Sequence, residues 1–233
     1  MPRQPITIIL RTLFPVAALA AVAIAINKRN WAFLCIIAAI LACLPPLLAF
    51  ERKQHESGNE SRTLALIAVM SVLTALSRTI FSAMQHFKPV TALIIITAIY
   101  FGANAGFSTG ALAAILSGLF GMGLGPWTPF QMLAWGFIGL LAGLLARPLL
   151  RNRLILCLFA AISGMLFSLI TDVFTVLWMA DSAGNTLAAY TAVIITSLPI
   201  MGIYAVSNIL FLLLFGLPLG RIFTRIKRKY GWT

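Results

Sequence analysis

Charged residues are scarce in this sequence. Asp, Glu, Lys and Arg make up 9% of its 233 residues, and only five residues are acidic. A soluble globular domain carries about 25% charged residues, so this chain cannot cover a surface that faces water on all sides. Hydrophobic residues make up 61% of the sequence, and the mean hydropathy is +1.01. These values predict an integral membrane protein.

Several motifs of catalysis and metal binding are also missing. The three cysteines, Cys35, Cys43 and Cys157, have no CxxC spacing, which argues against a zinc site and a disulfide framework. There is no Walker loop, HExxH sequence or nucleophile elbow. Five carboxylates leave little for general acid–base chemistry. We therefore expect no enzyme, no metal site and no cofactor bound by the chain itself.

Long apolar runs fill most of the sequence. Because backbone polar groups cannot stay unpaired in lipid, such runs must form helices or a closed barrel, and these are too continuous for barrel strands. With about 20 residues per crossing, and with a break at Gly102–Gly106 in one long run, we predict an all-α membrane protein. Its eight helices would cover roughly residues 6–26, 31–50, 63–84, 90–101, 105–120, 129–146, 154–180 and 187–219.

A polar stretch at residues 51–62 divides the chain. It holds Glu51, Glu56 and Glu60, three of the five acidic residues. We therefore expect an N-terminal transmembrane hairpin at 1–50, a cytoplasmic linker at 51–62, and a six-helix domain with a basic tail at 63–233.

The basic residues lie at the ends of the apolar runs. The net charge of +12 is compatible with nucleic-acid binding, but this placement favours topogenic flanks. With both termini in the cytoplasm, thirteen of the seventeen basic residues fall inside. The predicted protein is therefore multi-pass with both termini cytoplasmic, and it has no nucleic-acid partner.

Three segments with polar and aromatic residues fall on the outer side, at 78–88, 121–131 and 172–190. A small-molecule site needs apolar walls with a few orienting polar groups. The aromatic residues also fit an interfacial belt, and His86 also fits a solvated loop histidine. Asp172 lies inside an apolar run, where an ionisable group tends to face a cavity or a partner. The candidate ligand-binding residues are Arg78, Gln85, His86, Lys88, Trp127, Thr128, Gln131, Trp135, Asp172, Trp178 and Tyr190.

The run Gly125-Pro-Trp-Thr-Pro-Phe-Gln-Met-Leu-Ala-Trp-Gly136, followed by Gly139-Leu-Leu-Ala-Gly143, resembles the S components of energy-coupling-factor (ECF) vitamin transporters, particularly those for cobalamin. Arg78 and the stretches 88–92, 101–107 and 169–178 add to the resemblance, which covers about residues 62–228. The N-terminal hairpin is extra to the six-helix pattern of that family.

The resemblance implies a function. An S component captures a vitamin from outside the cell, and the resemblance makes cobalamin the first candidate for this chain. The S component then docks on a transmembrane coupling protein with two cytoplasmic ATPases, which use ATP. The cell membrane is then the location. In this family, docking on the coupling protein uses small residues four positions apart on the first core helix. Ser71 and Ala75 have that spacing here.

Other interpretations remain open. The ligand is also compatible with riboflavin or a queuosine-type compound. A secondary transporter would need an ion-coupling site near mid-membrane, for which Asp172 is the available carboxylate. A structural membrane protein would use its glycine-rich helices for packing alone.

Overall fold

The computed structural model describes residues 36–41, 43, 60–179 and 186–230. The predicted hairpin at 1–50, the linker at 51–62 and the outer loop with Asp181 lie mostly or wholly outside these residues, so the count of eight helices stays a prediction. The helices with defined bounds are α1 (Glu60–Ile80), α2 (Val90–Phe101), α3 (Ala103–Ser117), α4 (Thr128–Leu144), α5 (Ala146–Arg151), α6 (Arg153–Met179) and α7 (Thr186–Tyr230). Residues 36–41 and 43 are also helical. No strand occurs among the described residues, and the predicted all-α class is confirmed.

Four helical stretches are long and apolar enough to cross a membrane, namely Arg62–Ile80, Ala103–Met122, Arg153–Trp178 and Leu187–Tyr230. The second continues from α3 through a π-helical turn at Gly118–Met122. Two shorter apolar helices, α2 and α4, have 12 and 17 residues. Six of the eight predicted spans therefore correspond to helices within the described part of the chain.

Helix α2 lies at the centre of the bundle. Its residues are apolar on every side, as expected of a helix surrounded by others, and it is buried from Val90 to Ile99. It contacts all six of the other described helices. Twelve residues rise only about 18 Å, less than the ~30 Å hydrocarbon layer. The short central helix leaves space beyond each of its ends.

Glycine allows α3 and α4 to approach closely. A Cβ built on Gly106 would lie 2.6 Å from the Gly139 carbonyl oxygen, and one on Gly110 would lie 2.5 Å from the Trp135 carbonyl carbon. Gly143 meets the backbone of Ala103 in the same way. Gly102, Gly106 and Gly110, like Gly139 and Gly143, follow at four-residue intervals, and this spacing allows backbone contact between helices.

The chain bends back between α2 and α3 at a single residue. Gly102 has φ +94°, a conformation that favours glycine. The break between the two helices was predicted at Gly102–Gly106. In the structure it consists of Gly102 alone, and α3 begins at Ala103.

The last helix is longer than predicted. The apolar pattern ends near Leu219, yet α7 continues to Tyr230 and has 45 residues. Lys227, Arg228 and Lys229 occupy its last turn, where cations interact favourably with the helix dipole. At about 68 Å, α7 extends well beyond a bilayer. The short α5 was not predicted at all.

Candidate functional site

A cavity of about 400 Å³ lies at the N-terminal end of α2. We call it the outer cavity, because the predicted topology puts this end outside. Its lining residues come from α1, the loop after it, α2, α4, α6 and α7: they are Arg78, Gln85, His86, Lys88, Val90, Thr91, Gln131, Trp135, Phe167 and Tyr204. Six of them, Arg78, Gln85, His86, Lys88, Gln131 and Trp135, are among the residues that the sequence singles out.

Arg78 is held in place at one wall of the outer cavity. Its Nη1 donates hydrogen bonds to Ser117 Oγ at 2.7 Å and to Gln131 Oε1 at 3.2 Å. Its Cζ lies 5.0 Å from the ring centroid of Trp135, within cation–π range. These contacts connect α1, α3 and α4 and fix the direction of the guanidinium group. The side chain keeps further N–H donors for a ligand.

Trp135 and Phe167 form an aromatic wall. Their ring centroids lie 4.7 Å apart with an interplanar angle of 18°. Trp135 is 4% exposed, and its Nε1 has no hydrogen-bond partner among the described residues. Buried polar groups are normally paired. This indole N–H is therefore an unsatisfied donor inside the wall, and it has almost no accessible surface. A ligand acceptor reaches it only if the wall shifts on binding.

His86 has an unusual backbone. Its φ of 62° makes it the one described residue other than glycine with a positive φ, and such conformations cluster at functional sites. Its Nδ1 is hydrogen-bonded to the Tyr204 hydroxyl at 3.0 Å, and the two rings meet edge to face. This contact joins the α1–α2 loop to α7. Burial first, and then the charge of Lys88, lower the pKa of His86 below its ordinary value.

Positive charge dominates the outer cavity. Arg78 and Lys88 both line it, and no described carboxylate forms an ion pair with either. Burial and then the Arg78 charge lower the pKa of Lys88. The Lys88 carbonyl accepts a hydrogen bond from Ser207 Oγ at 3.2 Å, which ties this loop to α7. The cavity therefore suits a ligand rich in hydrogen-bond acceptors or negative charge.

Five predicted site residues do not line the outer cavity. Thr128 is buried at the start of α4, where its Oγ1 accepts a hydrogen bond from the Gly125 N–H at 3.0 Å. Trp127 and Trp178 are 39% and 65% exposed and both contact the Phe174 ring. We call Trp127, Phe174 and Trp178 the aromatic rim.

The other two lie between α6 and α7. The Asp172 carboxylate accepts a hydrogen bond from Ser168 Oγ at 3.2 Å, and Ser197 of α7 lies beside it. The Tyr190 hydroxyl donates to the Leu169 carbonyl at 3.1 Å. Both side chains thus connect the two longest helices, which accounts for an ionisable group inside an apolar span.

Four lining residues were not predicted from the sequence. Phe167 and Tyr204 lie within long apolar spans, where an aromatic residue gives no signal that distinguishes a cavity wall from a helix contact. Val90 and Thr91 begin α2 directly after the candidate Lys88. Their proximity to that residue was the only available signal.

The predicted docking residues Ser71 and Ala75 face the interior. They are 0% and 1% exposed. Helix α1 as a whole packs mainly against α3. The exposed side of α1 carries Val69, Leu73 and Leu76 instead, which are 57%, 48% and 41% exposed.

A protein-family model matches most of the sequence. The model described as the ECF-type riboflavin transporter S component matches residues 58–225, which include all seven described helices in whole or in large part. No curated protein and no solved structure matches the chain. Since the match covers well over half of the sequence, the chain belongs to the family of ECF-type riboflavin transporter S components.

Proposed function

We propose that this chain captures a vitamin from outside the cell in the outer cavity and delivers it to a coupling protein with two ATPases. The observation that carries the proposal is the outer cavity itself, where side chains from five helices and a loop converge under one end of the bundle. Membership of an S-component family supports the same role. The chain has no Walker loop, so ATP hydrolysis belongs to the partner subunits.

A flavin is the ligand that the cavity favours. Its volume of about 400 Å³ lies in the lower part of the range of roughly 300–1,000 Å³ for small-molecule sites. The Trp135–Phe167 wall offers a flat surface to a planar ring system, and the donors of Arg78 and Lys88 suit ring carbonyls and nitrogens. The description of the matching family also names riboflavin.

Cobalamin is the second candidate, although the sequence resemblance favours it over other vitamins. A corrinoid is several times larger than a flavin, and a cavity of this size would hold only part of it. The rest would have to extend outward over the exposed aromatic rim of Trp127, Phe174 and Trp178. That rim is the feature in favour of cobalamin.

Docking on the coupling protein would use the exposed side of α1. Since Ser71 and Ala75 are buried within the chain, a partner approaching α1 meets Val69, Leu73 and Leu76 first. These side chains form an apolar strip of about two helical turns. The small residues would act indirectly, by letting α1 pack closely on α3.

Uptake of radiolabelled riboflavin tests the proposed function. Cells that express the chain together with a coupling protein and its ATPases should accumulate the vitamin. Substituting the Walker lysines of both ATPases should abolish accumulation, and a protonophore should not when ATP is maintained. Arg78→Gln should reduce uptake, whereas Arg147→Gln, a cytoplasmic control with the same charge change, should not.

Uptake that continues without active ATPases and stops with the protonophore would contradict the proposal. It would favour a secondary transporter instead, and Asp172→Asn would then remove the dependence on the proton gradient.

A further inference from the structure

A second cavity, of about 390 Å³, lies at the other end of the bundle. We call it the inner pocket. It is bounded by Tyr100 at the end of α2 and by one face of α7 near its C-terminus, with Leu217, Gly220, Arg221, Arg225 and Arg228. Tyr204 of the outer cavity and Arg221 are 17 positions apart on α7, or about 26 Å along the helix. The inner pocket therefore lies at the opposite membrane interface, where the cytoplasmic basic residues collect.

Three arginines line this pocket from one side of α7. Arg221, Arg225 and Arg228 follow the spacing of four and then three residues that places side chains on one helix face, and all three are exposed. The one carboxylate whose side chain the structure describes is Asp172 on α6, in the neighbourhood of Tyr204. No described acidic side chain thus neutralises the three guanidinium groups. Arginine binds phosphate oxygens through paired N–H donors.

The floor of the inner pocket is held in place by Tyr100. Its ring meets Phe223 edge to face, with centroids 5.8 Å apart. Its hydroxyl lies against the backbone of Gly220, so closely that a Cβ on this glycine would collide with it. Among the described residues none forms a hydrogen bond with this hydroxyl, which is therefore free to donate to an anion.

The approach to the pocket from the bilayer is apolar. On α7 the exposed side chains change from leucine to arginine toward the cytoplasm, with Leu210, Leu213, Leu214 and Leu217 before Arg221. A phospholipid has the same profile, with acyl chains in the hydrocarbon layer and a phosphate at the interface. A free phosphate would need the arginines but not the leucines.

We infer that the inner pocket binds the head group of an anionic phospholipid, with its phosphate between the arginines of α7 and the Tyr100 hydroxyl and an acyl chain along the leucines. Basic pockets between helices on the cytoplasmic side suit such head groups. The bound lipid holds the C-terminal part of α7 at the interface. This site is independent of the vitamin in the outer cavity.

Native mass spectrometry of the full chain tests the inference, with phosphatidylglycerol and phosphatidylcholine as probes in detergent. The wild type should retain one phosphatidylglycerol and release phosphatidylcholine. The triple variant Arg221→Gln, Arg225→Gln, Arg228→Gln should bind phosphatidylglycerol about tenfold more weakly or worse, since it removes the three guanidinium groups that pair with the phosphate. The matched control substitutes Arg147, Arg151 and Arg153 with glutamine, with the same loss of charge at the same interface. It should change affinity less than about threefold, because none of the three lines the pocket and salt screens exposed charges at a distance.

A second pair of variants separates pocket shape from charge. Gly220→Ala places a methyl group against the Tyr100 hydroxyl, while Gly216→Ala, one turn earlier, meets nothing within 4 Å. Gly220→Ala should weaken phosphatidylglycerol binding several-fold, and Gly216→Ala should not. Equal losses in the two arginine triples, or equal retention of phosphatidylcholine, would overturn the inference. So would displacement of the lipid by millimolar inorganic phosphate, since the ligand would then be the free anion.

Discussion

Trp135 has two separate properties at the wall of the outer cavity. Its ring stacks on Phe167, and its indole N–H has no partner among the described residues. A buried donor without an acceptor costs about 1–3 kcal/mol. The N–H is covered in the free protein, so a ligand that reaches it must shift the wall on binding. A ligand that accepts this hydrogen bond then recovers the cost, and the residue should contribute to affinity through the N–H as well as through the ring.

Replacing Trp135 with phenylalanine separates these contributions. Phenylalanine keeps an aromatic ring against Phe167 but removes the donor, so riboflavin affinity should fall by about 2- to 10-fold, the value of one hydrogen bond. An equilibrium titration of flavin fluorescence measures the change. Trp127→Phe, on the aromatic rim, is the control and should leave flavin affinity within about twofold. Equal losses in the two variants would contradict a specific role for the Trp135 N–H.

His86 should make the stability of the fold depend on pH. Its pKa is lowered in the folded chain, so the unfolded chain takes up the proton first, near its usual value of about 6.5. This contribution to stability is complete above about pH 6.5 and is lost as the pH falls through that value toward the lowered folded pKa. The melting temperature should therefore decrease between pH 7.5 and pH 5.5.

Thermal melts of the His86→Gln variant check this origin. The variant loses the hydrogen bond to Tyr204 and should melt lower at both pH values, but the difference between the two pH values should shrink. His55→Gln, at the other histidine of the chain, should keep the wild-type difference. The same pH difference in His86→Gln and the wild type would show that the dependence has another source.

The sequence could predict proximity only for side chains at the ends of apolar spans. Topology puts Arg78, Lys88 and Gln131 at one end of the bundle, and all three line the outer cavity. Phe167 and Tyr204 could not be found this way, because the direction of an aromatic side chain in a span depends on helix rotation. Asp172 shows the reverse case. The sequence singles it out, but its carboxylate bonds to Ser168 and lies beside Ser197, away from the residues that line the cavity.

Among the helices, the α3–α4 pair depends most on residue size. Gly106 and Gly139 bring the two backbones into contact, and this pair supports Gln131 and Trp135 at the outer cavity. Any added side chain must push the helices apart.

Gly139→Ala should therefore destabilise the chain by about 1–3 kcal/mol, the usual cost of overpacking. Its Cβ would collide with the Gly106 backbone. Gly202→Ala on α7 is the matched control: nothing lies within 4 Å of its new methyl group, and alanine favours a helix by up to about 1 kcal/mol. Unfolding in mixed micelles of increasing SDS content measures both. A Gly139→Ala variant as stable as the wild type would contradict the close packing.

Hydropathy was sufficient to predict that these helices exist. It was not sufficient to predict where each helix ends or which of its sides is buried. Hydropathy cannot show that α7 continues to Tyr230, because the added turns are charged and lie beyond the apolar pattern. Ser71 and Ala75 have the spacing of a docking face and of an internal packing face alike. The structure assigns them to the inside of the bundle, and the spacing alone contains no information on that choice.

The whole molecule is arranged around a short central helix. Helix α2 contacts each of the other described helices, and one cavity lies beyond each of its ends. The outer cavity combines an aromatic wall with donors, and the inner pocket combines leucines with arginines. The sequence motifs indicate the S-component family, and the distribution of basic residues predicts the direction of the chain in the membrane. The choice of vitamin depends on the size of the outer cavity, which is a property of the folded bundle.

Calorimetric titration of riboflavin into the purified full-length chain is the most direct test of vitamin capture in the outer cavity. We expect saturable one-to-one binding that excess cobalamin or biotin does not displace. Arg78→Gln should weaken binding about tenfold or more, the value of a charged hydrogen bond in a buried site, and Arg147→Gln should bind like the wild type. Absence of saturable binding, or unchanged affinity in Arg78→Gln, would contradict the account.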